Sequence, residues 1–184
     1  MLLITGLGNP GKEYEKTRHN VGFMVIDHLI KSLKPTNVSK ASFKGELFKK
    51  DSTFFLKPTT YMNLSGESVF LVSQFYKISE ILVIHDELDL HFGTVKYKIG
   101  GGNGGHNGLK SIDSKLTSNY KRVRIGIDKP PIKSMVADYV LSQFSEEEKI
   151  VLPKLIQDVS EAILDIIHGE VFEKIAATKS GKRL

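Results

Sequence analysis

Residues 5–23 read TGLGNPGKEYEKTRHNVGF, and the parsing of this run decides the fold. Residues 1–4 form an apolar strand in front of it. Glycine and proline then break the pattern, nine polar or charged residues follow from Lys12 to Asn20, and an apolar pattern resumes at Val21. A polar run between two core elements is a surface loop held by a rigid strand, a usual place for chemistry. This one carries Asn9, Tyr14, Arg18, His19 and Asn20, groups that bind or move protons. Two phosphate-binding patterns also fit on paper: Gly6, Gly8 and Gly11 satisfy GxGxxG, and Gly6, Gly11 and Lys12 approach a P-loop. Both fail in context. Residues 12–20 have no apolar stripe to pack a helix on a sheet, Glu13 stands where a P-loop needs a hydroxyl, and Pro10 has no N–H to offer phosphate. The glycines are then expected to permit a tight turn with positive φ.

Outward from this loop the chain alternates between helical and strand periods. Residues 21–33 place Met24, Val25, Ile26, Leu29, Ile30 and Leu33 at helical spacing. Residues 35–39 are a connection, and 42–49 and 53–57 read as strands about a turn. Residues 57–66, KPTTYMNLSG, form a second polar loop, with Asn63 in it and Ser65 placed to cap a helix over 67–76. Residues 81–84 are a short apolar run, as in a strand covered on both faces, and run into His85, Asp86, Glu87 and Asp89. Residues 94–99 alternate, with lysines on the wet face. Residues 100–108, GGGNGGHNG, form a loop whose freedom suits motion or close approach of a ligand, with His106 and Asn107 at the start of a helix over 109–116. A further strand over 122–127 ends at Pro130 and Pro131. A short helix over 135–144 follows, then Ser145 and Glu148 as a capping box. The last helix carries Leu155, Val159, Ala162, Ile163 and Ile166 on one stripe and stops at Gly169, before a basic tail over 179–184. The pattern predicts a single three-layer α/β domain over 1–184, its twisted mixed sheet flanked by helices. The loops after Thr5, Lys57, Ile84 and Ile99 are expected to converge at one edge of that sheet.

At 184 residues the chain suits one well-buried core. It has no cysteine, which excludes disulfides, thiol catalysis and cysteine-ligated metal, and fits a reducing compartment. No run approaches the roughly 20 apolar residues of a membrane helix, so a cytoplasmic protein with no membrane partner is expected. The net charge is +5, and Lys96, Lys98, Lys110, Lys115, Lys121, Arg122, Arg124, Lys129 and Lys133 crowd residues 96–133 with only Asp113 and Asp128 among them. Such a section fits a polyanion partner and a merely solvated face equally well.

A histidine beside a carboxylate is the minimum machinery for activating water, since imidazole takes a proton near neutrality and the acid orients it and stabilises its charge. His19 and Asp86 are the candidates, with Asn9, Asn63 and Asn107 able to fix a carbonyl and a water without adding charge. There is no serine elbow, so water is preferred over a covalent nucleophile. No HxxxH or HxH pair favours a metal, although groups distant in sequence could still converge on one.

Five motifs carry a resemblance. GLGNPGxxYxxTRHNVGF (6–23), KPTTYMNLSG (57–66), HDELDL (85–90), GGGNGGHNGLKS (100–111) and RVRIGI (122–127), in this order, resemble bacterial peptidyl-tRNA hydrolase. The resemblance implies a cytoplasmic, monomeric enzyme without cofactor, metal or obligate protein partner. Its substrate would be the ester joining a peptide, or N-blocked amino acid, to the terminal ribose of tRNA. His19 would be the general base, held by Asp86. Asn9 would select blocked amino groups, while Tyr14, Tyr61, Met62, Asn63, His106 and Asn107 would line the cleft for the terminal nucleotide and peptide. Lys98 and Arg124 would grip tRNA phosphate with help from Lys133. Asp128 replaces a frequent glycine of this family and Asn103 a frequent histidine, which touches affinity rather than chemistry. Two other classes stay open: a noncatalytic RNA-binding protein on the same scaffold, and a nucleotide-dependent enzyme using residues 6–12.

Overall fold

A computed structural model describes residues 1–181; Lys182, Arg183 and Leu184, the end of the expected basic tail, lie outside the described residues. In chain order the first elements are β1 (Leu2–Gly6), α1 (Val21–Leu33), β2 (Thr36–Asn37), β3 (Gly45–Lys50), β4 (Thr53–Pro58) and α2 (Ser65–Tyr76). They continue with β5 (Glu80–Glu87), β6 (Val95–Ile99), α3 (Asn107–Lys115), β7 (Lys121–Gly126), α4 (Val136–Val140), α5 (Glu146–Ile167) and α6 (Phe172–Lys179). The strands form one mixed sheet in the order β2-β3-β4-β1-β5-β7-β6. β1, β4, β5 and β7 are parallel, whereas β3 runs against β4 and β6 against β7.

β1 lies at the centre of the sheet with both faces covered, which is why its residues are continuously apolar. Leu3 packs into a layer with Leu56, Val69, Val72, Val83, Leu109 and Ile112 under α2 and α3. Ile4, one residue on, points to the opposite layer with Val25, Ile84, Val123, Val159 and Ile163 under α1 and α5. Where β1 meets α1 the two backbones touch: a Cβ on Gly6 would lie 2.2 Å from the Gly22 carbonyl oxygen. Of the three glycines of the GxGxxG pattern, only Gly11 has positive φ. Gly6 and Gly8 are there for close approach to α1, not for turn geometry.

Several boundaries differ from the sequence reading, each for a local reason. β5 runs on through His85, Asp86 and Glu87 because β7 pairs with them at Arg124, Ile125 and Gly126; polar residues close this strand rather than open a loop. Residues 41–43 are a 3-10 turn, and β3 starts only after Lys44, which takes φ 51°. Ser65 is the first residue of α2 and not its cap, since its hydroxyl donates to the Met62 carbonyl at 2.9 Å. The helix expected over 135–144 shrinks to α4. α6 has too few apolar positions for a period, yet Phe172 and Ile175 bury it against β6, and Lys179 pairs with Asp165 at 2.5 Å. The expected tail is therefore ordered through this residue. The capping box of Ser145 and Glu148 is present at the start of α5.

The largest difference concerns the glycine run. β6 is antiparallel to β7, so Ile99 ends at the edge opposite to the ends of β1, β4 and β5, and Gly100 N–H donates to the Tyr120 carbonyl there. His106 nonetheless lies beside Asp86. Residues 100–106 thus travel back along the sheet as a strap, tied to it where Arg122 Nη1 donates to the Gly102 carbonyl at 2.9 Å. Three of the four expected loops begin at the site edge; the fourth reaches it only with its far end. The strap passes so close that a Cβ on Gly101 would lie 2.8 Å from Lys98 Nζ, and four of its glycines have positive φ, which only glycine adopts readily.

Candidate active site

His19 sits in a 3-10 turn, Arg18–Asn20, whose two flanking residues are pinned in opposite directions. Arg18 turns away from the cleft: its Nη2 meets Glu148 Oε2 at 2.6 Å, its Nη1 donates to Ser142 Oγ and the Gln143 carbonyl, and its guanidinium lies 4.5 Å from the Tyr139 ring. Glu148 Oε2 also accepts the Ser145 N–H, so the cap of α5 and the anchor of the turn share one carboxylate. On the other side Asn20 binds the backbone of Asn9 twice, Oδ1 accepting its N–H and Nδ2 donating to its carbonyl, both at 2.9 Å. The imidazole between them has little freedom left.

Asp86, on the last turn of pleat of β5, is only 2% exposed. His19 Nδ1 lies 2.9 Å from its Oδ1 and 3.0 Å from its Oδ2, and His106 Nε2 lies 2.8 Å from Oδ1. Burial alone would push the Asp86 carboxyl up, but the two imidazoles hold it well below the usual carboxylate range. Burial likewise disfavours a charged His19, yet the Asp86 charge and hydrogen bond outweigh it and raise its pKa above the ordinary value. His85 points to the other face of β5. Its Nδ1 donates to the Asp86 carbonyl at 2.7 Å, and burial with His106 as neighbour lowers its pKa to about 3, so it is neutral at physiological pH. His19, Asp86 and His106 are the group among the described residues that could hold a metal ion, their ligand atoms lying within 4.8 Å of one another. Those atoms are already in mutual hydrogen bonds, so an ion would have to replace these contacts.

Two hollows meet at His19. One, of about 470 Å³, is lined by Asn9, Tyr14, Tyr61, Met62, Asn63 and Asn107. The other, of about 460 Å³, is lined by Asp86, Glu87, the strap, His106, Asn107 and Lys133. Asn9 Oδ1 accepts the Met62 N–H at 2.7 Å, so its amide N–H₂ is the group it can offer to a ligand. Tyr14 and Tyr61 meet edge to face at 6.3 Å. Tyr61 has φ 60° and ψ 161°, a strained conformation for a side-chain-bearing residue, at the rim of this wall.

The structure thus brings Asn9, Tyr14, His19, Tyr61, Met62, Asn63, Asp86, His106, Asn107 and Lys133 to one cleft. It does not bring Lys98 or Arg124 there. These stand on β6 and β7 with Lys96 and Arg122, all on one face of the sheet by the register of the two strands. Arg124 is tied to the cleft wall through Glu87, Nε to Oε2 at 3.0 Å. His106, expected as a substrate contact, is turned toward Asp86 and its own helix. Asn20, His85 and Arg122 stand in the sequence reading only as members of the first polar loop, the polar strand end and the basic section; the structure gives each a specific partner, the Asn9 backbone, the Asp86 carbonyl and the Gly102 carbonyl. At the two departures, Asp128 takes φ 60°, a region glycine adopts more readily, and accepts the Phe92 N–H. Asn103 Nδ2 donates to Asp113 Oδ2 at 3.3 Å, adding a tie to the strap.

A family model described as peptidyl-tRNA hydrolase matches residues 3–183. A peptidyl-tRNA hydrolase of Wolinella succinogenes is 58% identical over 172 residues, 93% of this chain and 90% of that relative. One of Campylobacter lari is 51% identical over 180 residues, 98% of each chain. Among solved structures, a peptidyl-tRNA hydrolase of Acinetobacter baumannii matches with a TM-score of 0.89 at 38% identity, covering 97% of this chain and 96% of that one.

Proposed function

The chain belongs to the peptidyl-tRNA hydrolase family and hydrolyses peptidyl-tRNA, and from that premise we propose that His19 is its general base and Asp86 the group that holds it. With Nδ1 directed at Asp86, the nitrogen left to face the cleft is Nε2. It takes a proton from water as the water oxygen attacks the ester carbonyl joining the peptide to the 3′-terminal ribose. The imidazolium, stabilised by Asp86, returns the proton to the departing ribose oxygen. The Asn9 amide, with Asn63 and Asn107, binds the peptide backbone. A free aminoacyl ester would bring an ammonium instead, and burying it opposite amide donors without a partner is unfavourable. Tyr14, Tyr61 and Met62 flank the terminal nucleotide, and Lys98, Arg124 and Lys133 bind phosphate of the acceptor end. The enzyme works in this reading as a cytoplasmic monomer without cofactor; no helix of the described residues is long and apolar enough to cross a membrane.

The observation that carries the reading is a buried carboxylate orienting an imidazole into a cleft walled by three asparagines. Its test is release of labelled N-acetyl-aminoacyl groups from tRNA by the native protein and by His19→Ala, with unblocked aminoacyl-tRNA and a chelator in parallel. The expected result is cleavage of the blocked substrate alone, unaffected by chelator and reduced about 10²- to 10⁴-fold without His19. A His19→Ala variant that cleaves at the native rate would overturn it.

A further inference from the structure

His106 contributes a constraint that its neighbours cannot supply for themselves. It is the N-cap of α3, and its Nδ1 faces the backbone N–H groups of Gly108 at 3.1 Å and Leu109 at 3.4 Å. Backbone amides only donate, so this Nδ1 must be the bare nitrogen, and in the neutral ring the proton sits on Nε2. That N–H points at Asp86 Oδ1, 2.8 Å away. An ionised carboxylate only accepts, so the proton between Asp86 and His19 must sit on His19 Nδ1, which leaves the Nε2 of His19 bare. Without the His106 donor, a carboxyl as buried as Asp86 would have one partner, and protonation of Asp86 or the opposite His19 tautomer would come within reach.

We infer that His106 is a positioning residue that transmits the fixed polarity of the α3 N-terminus, through Asp86, to the tautomer of His19. It acts through Asp86 rather than on the attacking water or the ester. The helix start acts as the reference because its N–H groups have no other protonation state. This rests on the assignment of His19 as base, but it can be read without measuring activity.

Two substitutions separate the two contacts. His106→Asn places an acceptor near the position of Nδ1 and preserves the cap, while its shorter side chain cannot reach Asp86. His106→Gln reaches Asp86 with an amide N–H but forfeits the cap. The first measurement is ring ¹⁵N NMR of His19 at a pH where it is neutral, its signals assigned by their loss in His19→Gln. The native protein should show His19 protonated on Nδ1 alone, His106→Asn a mixture of tautomers, and His106→Gln a return toward the native pattern. In kinetics with N-acetyl-aminoacyl-tRNA, His106→Asn should lower kcat with little change in KM. It should also shift the acid limb of kcat/KM from its native position, because Asp86 and His19 then share their proton without the His106 donor. His106→Gln should keep the native limb. A folded His106→Asn protein with the native His19 tautomer overturns the inference, whatever its activity. A native protein with His19 protonated on Nδ1 but no loss of cleavage in His19→Gln overturns the base assignment instead.

Discussion

At the head of β5, His19 and His106 are almost out of water and both hydrogen-bonded to the buried Asp86; on β6, Lys96 and Lys98 stand in solvent, with Arg124 half-buried beside them. Both regions are polar, yet they use polarity differently. In the first, each proton has one place to be, because burial removes the option of water and leaves only the partner. In the second, charge acts at a distance, tolerates small displacements and is screened by salt. The difference teaches where a substitution should be felt: on the chemical step for the buried cluster, on binding for the outer face.

The strongest way to break this division is Asp86→Asn. The amide can turn its N–H₂ toward His19 Nδ1 and impose the unproductive tautomer, so kcat should fall about a thousandfold with KM nearly unchanged. A loss confined to KM would erase the distinction between the two regions. Next in size, Glu148→Ala leaves Arg18 buried without its carboxylate. Because Ser142, Gln143 and Tyr139 still hold that guanidinium, the loss should be about 3 kcal/mol, read as a lower denaturation midpoint. Activity per folded molecule should change far less than in Asp86→Asn.

On the outer face, Lys98→Ala and Arg124→Ala should each raise KM by about tenfold while leaving kcat in place. Each should lower the slope of log KM against log salt by about one, as expected for one lost phosphate contact. Salt-independent losses would place these residues with the cluster instead. The smallest effect is on pH dependence. Burial lowers the pKa of His19 but Asp86 raises it further, so the acid limb of kcat/KM should lie above the ordinary 6.5. The sign for stability is the same: a raised His19 stabilises the fold fully below its unfolded pKa, and that contribution fades as pH rises through its folded value. Asp86 acts oppositely, its contribution present above about 3.9 and lost only as pH falls through its depressed folded pKa. A limb at or below 6.5 would mean that burial prevails over Asp86.

Much of this architecture was legible before any coordinates. The apolar spacing of residues 21–33 coincides with α1 as observed, and the alternation of Val123 and Ile125 against Arg122 and Arg124 gives β7. Short or polar pieces were not legible. α6 rests on two anchors, β2 on two residues, and the end of β5 is polar because the neighbouring strand, not its own composition, keeps it in the sheet. The strap shows the limit most plainly. Six glycines in nine residues announce freedom, but nothing in them says that β6 runs downward and that the chain must therefore return along the sheet.

The sequence by itself determined the layers and the polar loops, because burial imposes a period of 2 or 3.6 on side chains and exposes whatever breaks it. It also determined the family, through motifs spread along most of the chain. Only the tertiary structure decided that His19 meets a carboxylate 67 positions away, and that a third side chain, capping a helix at the end of the strap, faces the same oxygen. Periodicity reports the environment of each residue but not the identity of its partner. Partners separated by whole strands and helices are set by strand order and direction, and the placement of a proton by the last hydrogen bond that order brings into reach.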